Sequence, residues 1–322
     1  MVNFLNQPFA GMKHLVVFVC LLVLFTSCLS DDDSAIPSNF NFQSLGVIDA
    51  DFLDMGSGMI GSTSENLLYT AHRSQRDGGI EKLTRFNLSD NTVTDRTYPI
   101  IDFVTKRIHE SGDQLIVVGG SFINTYSKDI FEEPVTVRHG ARLTRFGSFT
   151  YEDDLYIFGG DLNGEDSDKI KKWNPVDTTF QVVGTLPEPR FWTNGQVVND
   201  HLYIFGGMQV FQGNDFAEDE IYKVDLQDFS IESFRLPEDY NQVFTATIGT
   251  NIFVAGQVWK GEDIATRVGV FNTLDNSFRE VTFNLNDVDI SSIYGLASVG
   301  NRLYAIHGDS EEGNFKLMEL IL

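Results

Sequence analysis

The chain has 322 residues, with 46 acidic against 23 basic side chains and a formal net charge of −23 at pH 7. Such a charge argues against nucleic acid and anionic membranes as direct ligands, and it favours cations or basic partners. The 2 cysteines, Cys20 and Cys28, both lie near the N-terminus, so the rest of the chain can form no disulfide, thiolate metal site or cysteine nucleophile.

The first element in chain order is an apolar stretch from Leu15 to Phe25, preceded by Lys13 and followed by Thr26-Ser27-Cys28. The stretch is shorter than the ~20 residues that cross a bilayer, and its charge-then-apolar order is typical of a processing signal. It resembles a bacterial lipoprotein signal, although Phe25 stands where such signals usually have leucine. The resemblance implies that residues 1–27 are removed and that Cys28 is lipidated.

An acidic stretch, Leu29-Ser30-Asp31-Asp32-Asp33-Ser34, follows the cysteine. It resembles the export signal that sends lipoproteins of the Bacteroidota to the outer face of the outer membrane. The alternative is a solvated tether, residues 28–39, that holds the domain off the lipid. Both interpretations place the domain outside the cytoplasm, with the lipid anchor as its one membrane contact. We expect the cell surface, and leave the periplasmic side open.

Six short apolar runs then recur along the chain. Aligned on the first residue of a terminal Gly-Gly pair or its equivalent, they end at positions 72, 119, 159, 206, 256 and 307, in steps of 47, 40, 47, 50 and 51 residues. Strand-like runs with a period near ~50 indicate one propeller blade per repeat. In LYIFGG (155–160), apolar side chains alternate to both faces, as expected of a strand between two neighbouring sheets.

A turn pattern recurs in phase with these runs: Asn or Asp, two residues, Asp, one residue, Ser or Thr, then an apolar residue. It occurs at 87–93, 174–180, 225–231 and 272–278. Short polar side chains that bond the backbone two residues further on favour a hairpin at each position. In the fourth repeat, the four predicted strands of a blade are, from the innermost outward, 191–198, 202–207, 220–226 and 230–236.

Segments near the two ends of the chain together supply the four strands of the sixth blade. After position 307 only NFKLMELIL (314–322) remains, which supplies a third strand but no fourth. The segment FNFQSLGV (40–47) precedes the first inner strand and can supply the missing outer strand. We therefore expect an all-β fold over residues 40–322, a six-bladed β-propeller closed by pairing of its N-terminal and C-terminal strands, which removes free sheet edges.

The stretch LPEPRFWTNGQVVNDHLYIFGG (186–207) resembles the kelch repeat family. The Gly-Gly pairs at 119/120, 159/160 and 206/207 and the tyrosines at 156, 203 and 304 carry the resemblance, whereas His72-Arg73, Gly256-Gln257 and His307-Gly308 depart from it. The resemblance implies a kelch-type propeller. It does not imply a function, because kelch propellers include both binding modules and enzymes.

Arginines and aromatic residues cluster in the segments leading to the predicted inner strands. They are Arg107, Arg142, Arg145, Arg190, Phe191, Trp192, Tyr240, Asn241, Phe244 and Tyr294. Aromatic rings beside arginine suit sugar stacking or peptide side chains, so these residues are ligand-binding candidates. The alternative for each is packing between blades.

Two histidines, His72 and His307, occupy the same position in the first and last repeats, which ring closure makes neighbours. A pair of imidazoles could bind a metal or transfer protons. The alternative is that each is a buried histidine bonded to backbone carbonyls.

Calcium is the one cofactor that the sequence suggests. Asp161, Asn163, Asp166 and Asp168 offer hard oxygen ligands close together. An EF-type loop has glycine at its sixth position, whereas Gly164 is at the fourth, so the alternative is a solvated acidic loop.

Catalytic motifs are absent from the sequence: it contains no GxSxG, HExxH, P-loop or dinucleotide glycine pattern, and no catalytic residue is assigned. We expect a lipid-anchored binding or scaffold protein whose loop face recognises a carbohydrate or an envelope protein. The alternative is a kelch-type sugar epimerase or isomerase, which would need an arginine and a carboxylate at the central channel.

Overall fold

The computed structural model describes residues 39–48, 58–62, 66–74, 80–97, 105–130, 132–211, 214–260, 263–284, 293–309 and 314–321. These ranges all belong to one compact unit, Ser38–Leu322. The strands are β1 (Asn39–Ile48), β2 (Met59–Ser62), β3 (Leu67–Ser74), β4 (Ile80–Asn87), β5 (Thr92–Thr97), β6 (Lys106–Ser111), β7 (Gln114–Ser127), β8 (Val135–Thr144), β9 (Gly147–Tyr151), β10 (Asp154–Phe158), β11 (Asp161–Leu162), β12 (Glu165–Asp166), β13 (Lys169–Asn174), β14 (Thr179–Thr185), β15 (Asn194–Val198), β16 (His201–Phe205), β17 (Met208–Phe211), β18 (Asn214–Asp225), β19 (Ile231–Tyr240), β20 (Gln242–Ile248), β21 (Asn251–Lys260), β22 (Asp263–Asn272), β23 (Ser277–Glu280), β24 (Thr282–Asn284), β25 (Ile293–Val299), β26 (Arg302–Asp309) and β27 (Asn314–Ile321).

The strands form six sheets, which we number as blades in chain order. Blade 1 is β2-β3-β4-β5, blade 2 is β6-β7-β8, and blade 3 is β9-β10-β13-β14. Blade 4 is β15-β16-β18-β19, blade 5 is β20-β21-β22-β23, and blade 6 is β25-β26-β27-β1-β24. The hairpin β11–β12 extends blade 2 at β8, and β17 pairs with β18.

The first strand of each blade lies on the inside. These inner strands, β2, β6, β9, β15, β20 and β25, each contact the next, and β25 contacts β2. The circle of contacts is therefore closed, and the predicted all-β fold with six propeller blades is confirmed.

The ring closes in blade 6, where the two ends of the propeller meet. β1 pairs antiparallel with β27, with Phe42 opposite Leu320 and Ser44 opposite Met318. This confirms the predicted closure. The short strand β24 then pairs in parallel with β1, starting at Asn39 opposite Thr282. This pairing, which we did not predict, covers part of the outer edge of β1.

The apolar strands are buried on both faces, as the alternation predicts. In β16, Leu202 and Ile204 pack into a core with blade 3, whereas Tyr203 and Phe205 pack into a core with blade 5. All four side chains are at most 3% exposed. Each blade thus contributes one half of two separate hydrophobic cores, and burial of these side chains holds neighbouring blades together.

The recurring turn forms the hairpin that we predicted between the third and fourth strands. The Oδ1 atoms of Asp228 and Asp275 accept hydrogen bonds from the backbone N–H of Ser230 (2.8 Å) and Ser277 (3.0 Å). Hydrogen bonds from the serine side chains, together with these backbone bonds, lower the pKa of both aspartates, because they favour the charged carboxylate.

Blade 2 explains the short step of 40 residues. Its strand β7 is 14 residues long: residues 114–119 pair with β6, and residues 120–125 pair with β8 after an irregularity at Gly120. Blade 2 has three strands of its own, and the position beside β8 is taken by the hairpin β11–β12 from the following segment, so this repeat is shorter by one outer strand.

Candidate functional site

The inner strands enclose a cavity of about 240 Å³ on the propeller axis. All six of them contribute lining residues. The polar and aromatic ones are Arg107, His109, Ser148, Phe149, Thr150, Asn194, Gln196, Phe244 and Thr245. Arg107, Asn194 and Phe244 lie within the first three residues of β6, β15 and β20. The cavity therefore lies near the ends of the inner strands that receive the incoming loops.

Hydrogen bonds between inner strands fix part of this lining. Gln196 donates from Nε2 to the backbone oxygen of Thr245 (3.0 Å) and to its Oγ1 (3.1 Å). Its Oε1 accepts from Thr247 Oγ1 (3.3 Å), and Ser298 Oγ donates to the Thr247 backbone oxygen (2.7 Å). The Gln196 amide thus joins blade 4 to blade 5, and its orientation is set before any ligand arrives.

A histidine and a serine meet across the joint between blades 2 and 3. His109 Nε2 and Ser148 Oγ are 2.6 Å apart, and both residues are buried. Burial, helped by the charge of Arg107, lowers the pKa of His109 to about 3. The imidazole is therefore neutral at physiological pH, with one nitrogen as donor and the other as acceptor.

Three further polar residues line the cavity. Arg107 is 7% exposed, and its Nη1 donates to the Lys106 backbone oxygen (3.3 Å). Asn194 Oδ1 accepts from the Gly195 N–H (2.8 Å), which leaves the Nδ2 donors for another acceptor. Thr150 also lines the cavity. Together they can hold a small polar ligand.

Acid is expected to destabilise the protein through His109. Its folded-state pKa of about 3 lies below the ordinary 6.5, so the unfolded chain takes up the proton first. The stability that the neutral His109 contributes is fully present above pH 6.5, and it is lost as the pH falls from 6.5 toward 3. Melting temperatures measured from pH 7 to pH 4 should fall less steeply for His109→Gln than for the wild type, whereas the control His201→Gln should follow the wild type. Parallel curves for His109→Gln and the wild type would contradict this account.

The loop that leads into β15 carries two aromatic residues, the buried Phe191 and the half-buried Trp192, which contacts from other blades hold in place. Arg145 lies with its guanidinium carbon 3.9 Å from the Phe191 ring centroid and 5.7 Å from that of Trp192. The backbone N–H of Trp192 donates to the Arg145 backbone oxygen (2.8 Å), and the backbone oxygen of Trp192 accepts from the Val243 backbone N–H (3.4 Å). Trp192 is half-buried, so part of its indole remains accessible at a position that three blades define.

Arg190, a predicted ligand contact, is fully buried instead of lying at the rim. Its Nη2 donates to Glu220 Oε2 (2.8 Å) and its Nη1 to the backbone oxygens of Glu220 (3.0 Å) and Gly206 (3.3 Å). Its guanidinium carbon lies 4.0 Å from the Tyr222 ring centroid. The arginine therefore ties the loop before β15 to blade 4.

The same arginine balances an acidic cluster. Glu188, Glu218 and Glu220 place one carboxylate oxygen each within 4.8 Å of one another. Arg190 Nη2 is 2.8 Å from Glu220 and 3.6 Å from Glu218. Burial raises the pKa of the Glu218 carboxyl, and Arg190 opposes that shift. Two of the three carboxylates in this cluster, those of Glu218 and Glu220, therefore already face a fixed guanidinium.

The remaining ligand-binding candidates from the sequence differ in their surroundings: some pack in the interior and one is exposed to solvent. Tyr240 is 0% exposed, and burial raises the pKa of its hydroxyl. Phe244 lines the axial cavity. Tyr294 packs edge-on against Phe315, with centroids 5.1 Å apart. Arg142 is exposed at the end of β8. Of the four, Phe244 is the one that the structure brings to the cavity.

The two aligned histidines are both buried. His72 Nε2 lies 2.8 Å from Thr84 Oγ1, which in turn donates to Asp95 Oδ1 (2.6 Å). His307 stands opposite Ile293 in β25 and Lys316 in β27. Their proposed metal or proton-transfer role stays a prediction.

Two of the predicted calcium ligands are paired with an arginine. Asp161 Oδ2 lies 2.5 Å and Asp166 Oδ1 lies 3.6 Å from Arg145 Nη2. Burial raises the pKa of the Asp166 carboxyl, while Arg145 opposes that shift. These two carboxylates thus face a cation that belongs to the chain.

The other two predicted ligands point elsewhere. Asn163 Oδ1 accepts from the Arg142 backbone N–H (3.0 Å), at the tip of the β11–β12 hairpin. Asp168 forms an ion pair with Lys169 (3.0 Å). A calcium ion would have to displace these contacts, and its binding stays a prediction.

The predicted lipidation residue, Cys28, and the signal and tether around it lie outside the described residues. Among the residues that the structure describes, no helix has the length and apolar character needed to cross a membrane.

A comparison with known protein-family models and with curated proteins finds no match to this chain. The cavity is therefore interpreted from its own residues. Sequence reasoning named Arg107 and Phe244 but missed His109, Ser148, Asn194 and Gln196. In β15 the polar residues Asn194 and Gln196 alternate with Gly195 and Val197, and such a period-two polar face in an innermost strand was the available signal.

Proposed function

We propose that this protein binds a carbohydrate at the axial cavity and its rim, and that it is held at the outer membrane, facing the cell surface, by lipid on Cys28. A six-bladed propeller fits a binding or scaffold role. The observation that supports a sugar is the lining, which sets amide, hydroxyl and guanidinium groups beside Phe149 and Phe244. Sugars need this combination, because they offer hydroxyl groups at their edges and C–H groups on their faces.

The size of the cavity limits the ligand. Its volume of about 240 Å³ is just below the ~300 Å³ at which pockets for drug-sized ligands begin. A single sugar unit or the end of a glycan chain fits this space. The partly exposed indole of Trp192 then offers a stacking surface for the next unit at the rim.

A glycan array probed with the purified protein tests the proposal. We expect binding to a restricted set of glycans and at least tenfold weaker binding by Trp192→Ala, because an aromatic stacking surface is lost. Leu274→Ala, which truncates a side chain 61% exposed in an outer turn, is the matched control and should bind as the wild type does. Absence of glycan binding, together with capture of an envelope protein by cross-linking on cells, would favour the protein partner instead.

The alternative function, a sugar epimerase or isomerase, needs a carboxylate beside the arginine. Arg107 is present, but the described residues that line the cavity supply no carboxylate. Incubation of an array-selected glycan with the protein, followed by NMR, should leave the sugar unchanged.

The lipid anchor has its own test. Mass spectrometry of the protein from cell membranes should show a mature chain that begins at an acylated Cys28, and Cys28→Ser should release the protein from the membrane fraction. Protease added to intact cells should degrade the propeller if it faces outward. A mature protein with a free Cys28 thiol, or complete protection from protease, would contradict the anchor or the surface location respectively.

The repeats are proposed to be of the kelch type. Both glycines of the pairs at 159/160 and 206/207 have positive φ, between 47° and 96°, a conformation that glycine adopts without strain. A Cβ on Gly159 would lie 2.3 Å from the Arg190 backbone oxygen, so the loop before the next blade can pass only over a glycine. This close approach supports the role that the family's Gly-Gly pair would have.

A further inference from the structure

Asn194 places an amide group of fixed orientation in the wall of the axial cavity. The residue is half-buried, and its Oδ1 accepts a hydrogen bond from the Gly195 backbone N–H (2.8 Å). Because only the oxygen of the amide can accept this bond, the bond also fixes which end is Nδ2. Nδ2 forms no hydrogen bond with another residue that the structure describes. Its two N–H groups are therefore donors that a ligand oxygen can use.

The second amide in the cavity wall belongs to Gln196, and it is engaged at both ends. Its Nε2 donates to the backbone oxygen and the Oγ1 of Thr245, and its Oε1 accepts from Thr247. Gln196 therefore holds blades 4 and 5 together and has less to offer a ligand. Of the two amides that line the cavity, that of Asn194 is the one with donors to spare.

Apolar side chains lie on both sides of this donor. Asn194 is in β15, which contacts β9 on one side and β20 on the other. These two strands supply Phe149 and Phe244 to the cavity wall, where they are 4% and 5% exposed. Leu296 of β25, the neighbour of β20, also lines the cavity. A hydrogen-bond donor thus stands beside apolar surface that a small alkyl group of a ligand can cover.

We propose that the sugar bound in the axial cavity carries an acetamido group, whose carbonyl oxygen accepts from Asn194 Nδ2 and whose methyl group packs against Phe244. This inference rests on the proposed carbohydrate binding and adds the chemical class of the ligand. An acetamido group joins a strong acceptor to a methyl group within a few atoms. A hydroxyl in the same place would accept from Asn194 but would leave the phenyl ring without an apolar partner.

The remaining atom of the group, its N–H, needs an acceptor. Thr150 lies in β9, beside Phe149, and also lines the cavity. A threonine hydroxyl can accept as well as donate, so Thr150 is suited to this bond. All the partners named for the acetamido group are uncharged. Because salt screens interactions between charges, we expect the affinity to change little when the salt concentration is raised.

Calorimetric titrations with matched sugars test the inference. The probes are N-acetylglucosamine against glucose and N-acetylgalactosamine against galactose, with N-methylacetamide as an amide that lacks a sugar ring. We expect each acetamido sugar to bind about tenfold more tightly than its plain partner, since it buries a methyl group and adds a hydrogen bond. N-methylacetamide should bind more weakly than either acetamido sugar.

Variants locate the effect. Asn194→Asp keeps the oxygen that accepts from the Gly195 N–H but replaces both Nδ2 donors with a second acceptor, so it should bind N-acetylglucosamine no more tightly than glucose. Asn199→Asp makes the same change at an exposed position between β15 and β16 and should keep the full preference. Because the wild-type comparison requires no variant, a failure of Asn194→Asp to fold leaves the test intact.

The outcomes separate the two proposals. Equal binding of acetamido and plain sugars by the wild type would overturn the acetamido assignment and leave carbohydrate binding standing. Binding of N-methylacetamide as tight as that of the acetamido sugars would show that an amide alone is recognised, which would overturn both. A preference for acetamido sugars that persists in Asn194→Asp would overturn the role of Asn194.

Discussion

Gly61→Ala is expected to lower the free energy of unfolding by about 4 kcal/mol, above the usual range for over-packing. A Cβ at this position would lie 1.9 Å from the Ser298 backbone oxygen and 2.8 Å from the Ser298 carbonyl carbon. Gly61 is in β2 and Ser298 in β25, so the added atom would force apart the neighbouring inner strands of blades 1 and 6. Backbone atoms cannot rotate away, and the two blades would have to separate.

Denaturant unfolding measures this loss, with Gly300→Ala as the matched control. Nothing lies within 4 Å of a Cβ on Gly300, but its φ is +58°, so alanine there costs backbone strain alone. We expect about 1 kcal/mol for the control. Equal losses in the two variants would mean that β2 and β25 are not packed together as the closed ring requires.

Arg190→Met is expected to cost about 3 kcal/mol or more, since removing one partner of a buried ion pair leaves the other uncompensated. Arg190 is fully buried, and the variant would leave Glu220 and Glu218 facing each other without a cation. Burial raises the pKa of the Glu218 carboxyl, so the repulsion should ease when Glu218 takes up a proton. The deficit relative to the wild type should therefore shrink as the pH is lowered toward 5.

The control for this variant is Arg235→Met. Arg235 lies in β19 and pairs with Asp219, the neighbour of Glu220 in β18, but the Arg235 side chain is 71% exposed. Exposed pairs contribute between 0 and about 1 kcal/mol, so little should change. If Arg190→Met is no more destabilising than Arg235→Met, Arg190 does not hold the loop before β15 in place.

Much of the fold followed from periodicity. The Gly-Gly spacing and the turn pattern predict one blade per repeat. Each repeat contains a strand that is apolar on both faces, and this strand is followed by glycines that allow a close approach of the backbone. The pairing of β1 with β27 followed from counting strands at the two ends. The parallel strand β24 could not be predicted in this way, since Thr282–Asn284 is too short to carry a periodic signal.

The site followed less completely, for a physical reason. The same arginine and aromatic residues occur in the sequence whether their side chains bind a ligand or pack between blades. Arg190 lies just before Phe191 and Trp192 and looked equivalent to them, yet it turns inward because Glu220 and Tyr222 lie across the blade. Such a choice depends on residues 30 positions away in the chain, which local patterns do not show.

Filling the axial cavity tests the central claim most directly. Thr150→Trp adds an indole to the cavity wall, whereas Thr179→Trp adds the same group to an exposed position in the outer strand β14. Titration of an array-selected glycan into both folded variants and the wild type should show at least tenfold weaker binding for Thr150→Trp and unchanged binding for Thr179→Trp. Wild-type affinity in Thr150→Trp would contradict ligand binding on the propeller axis.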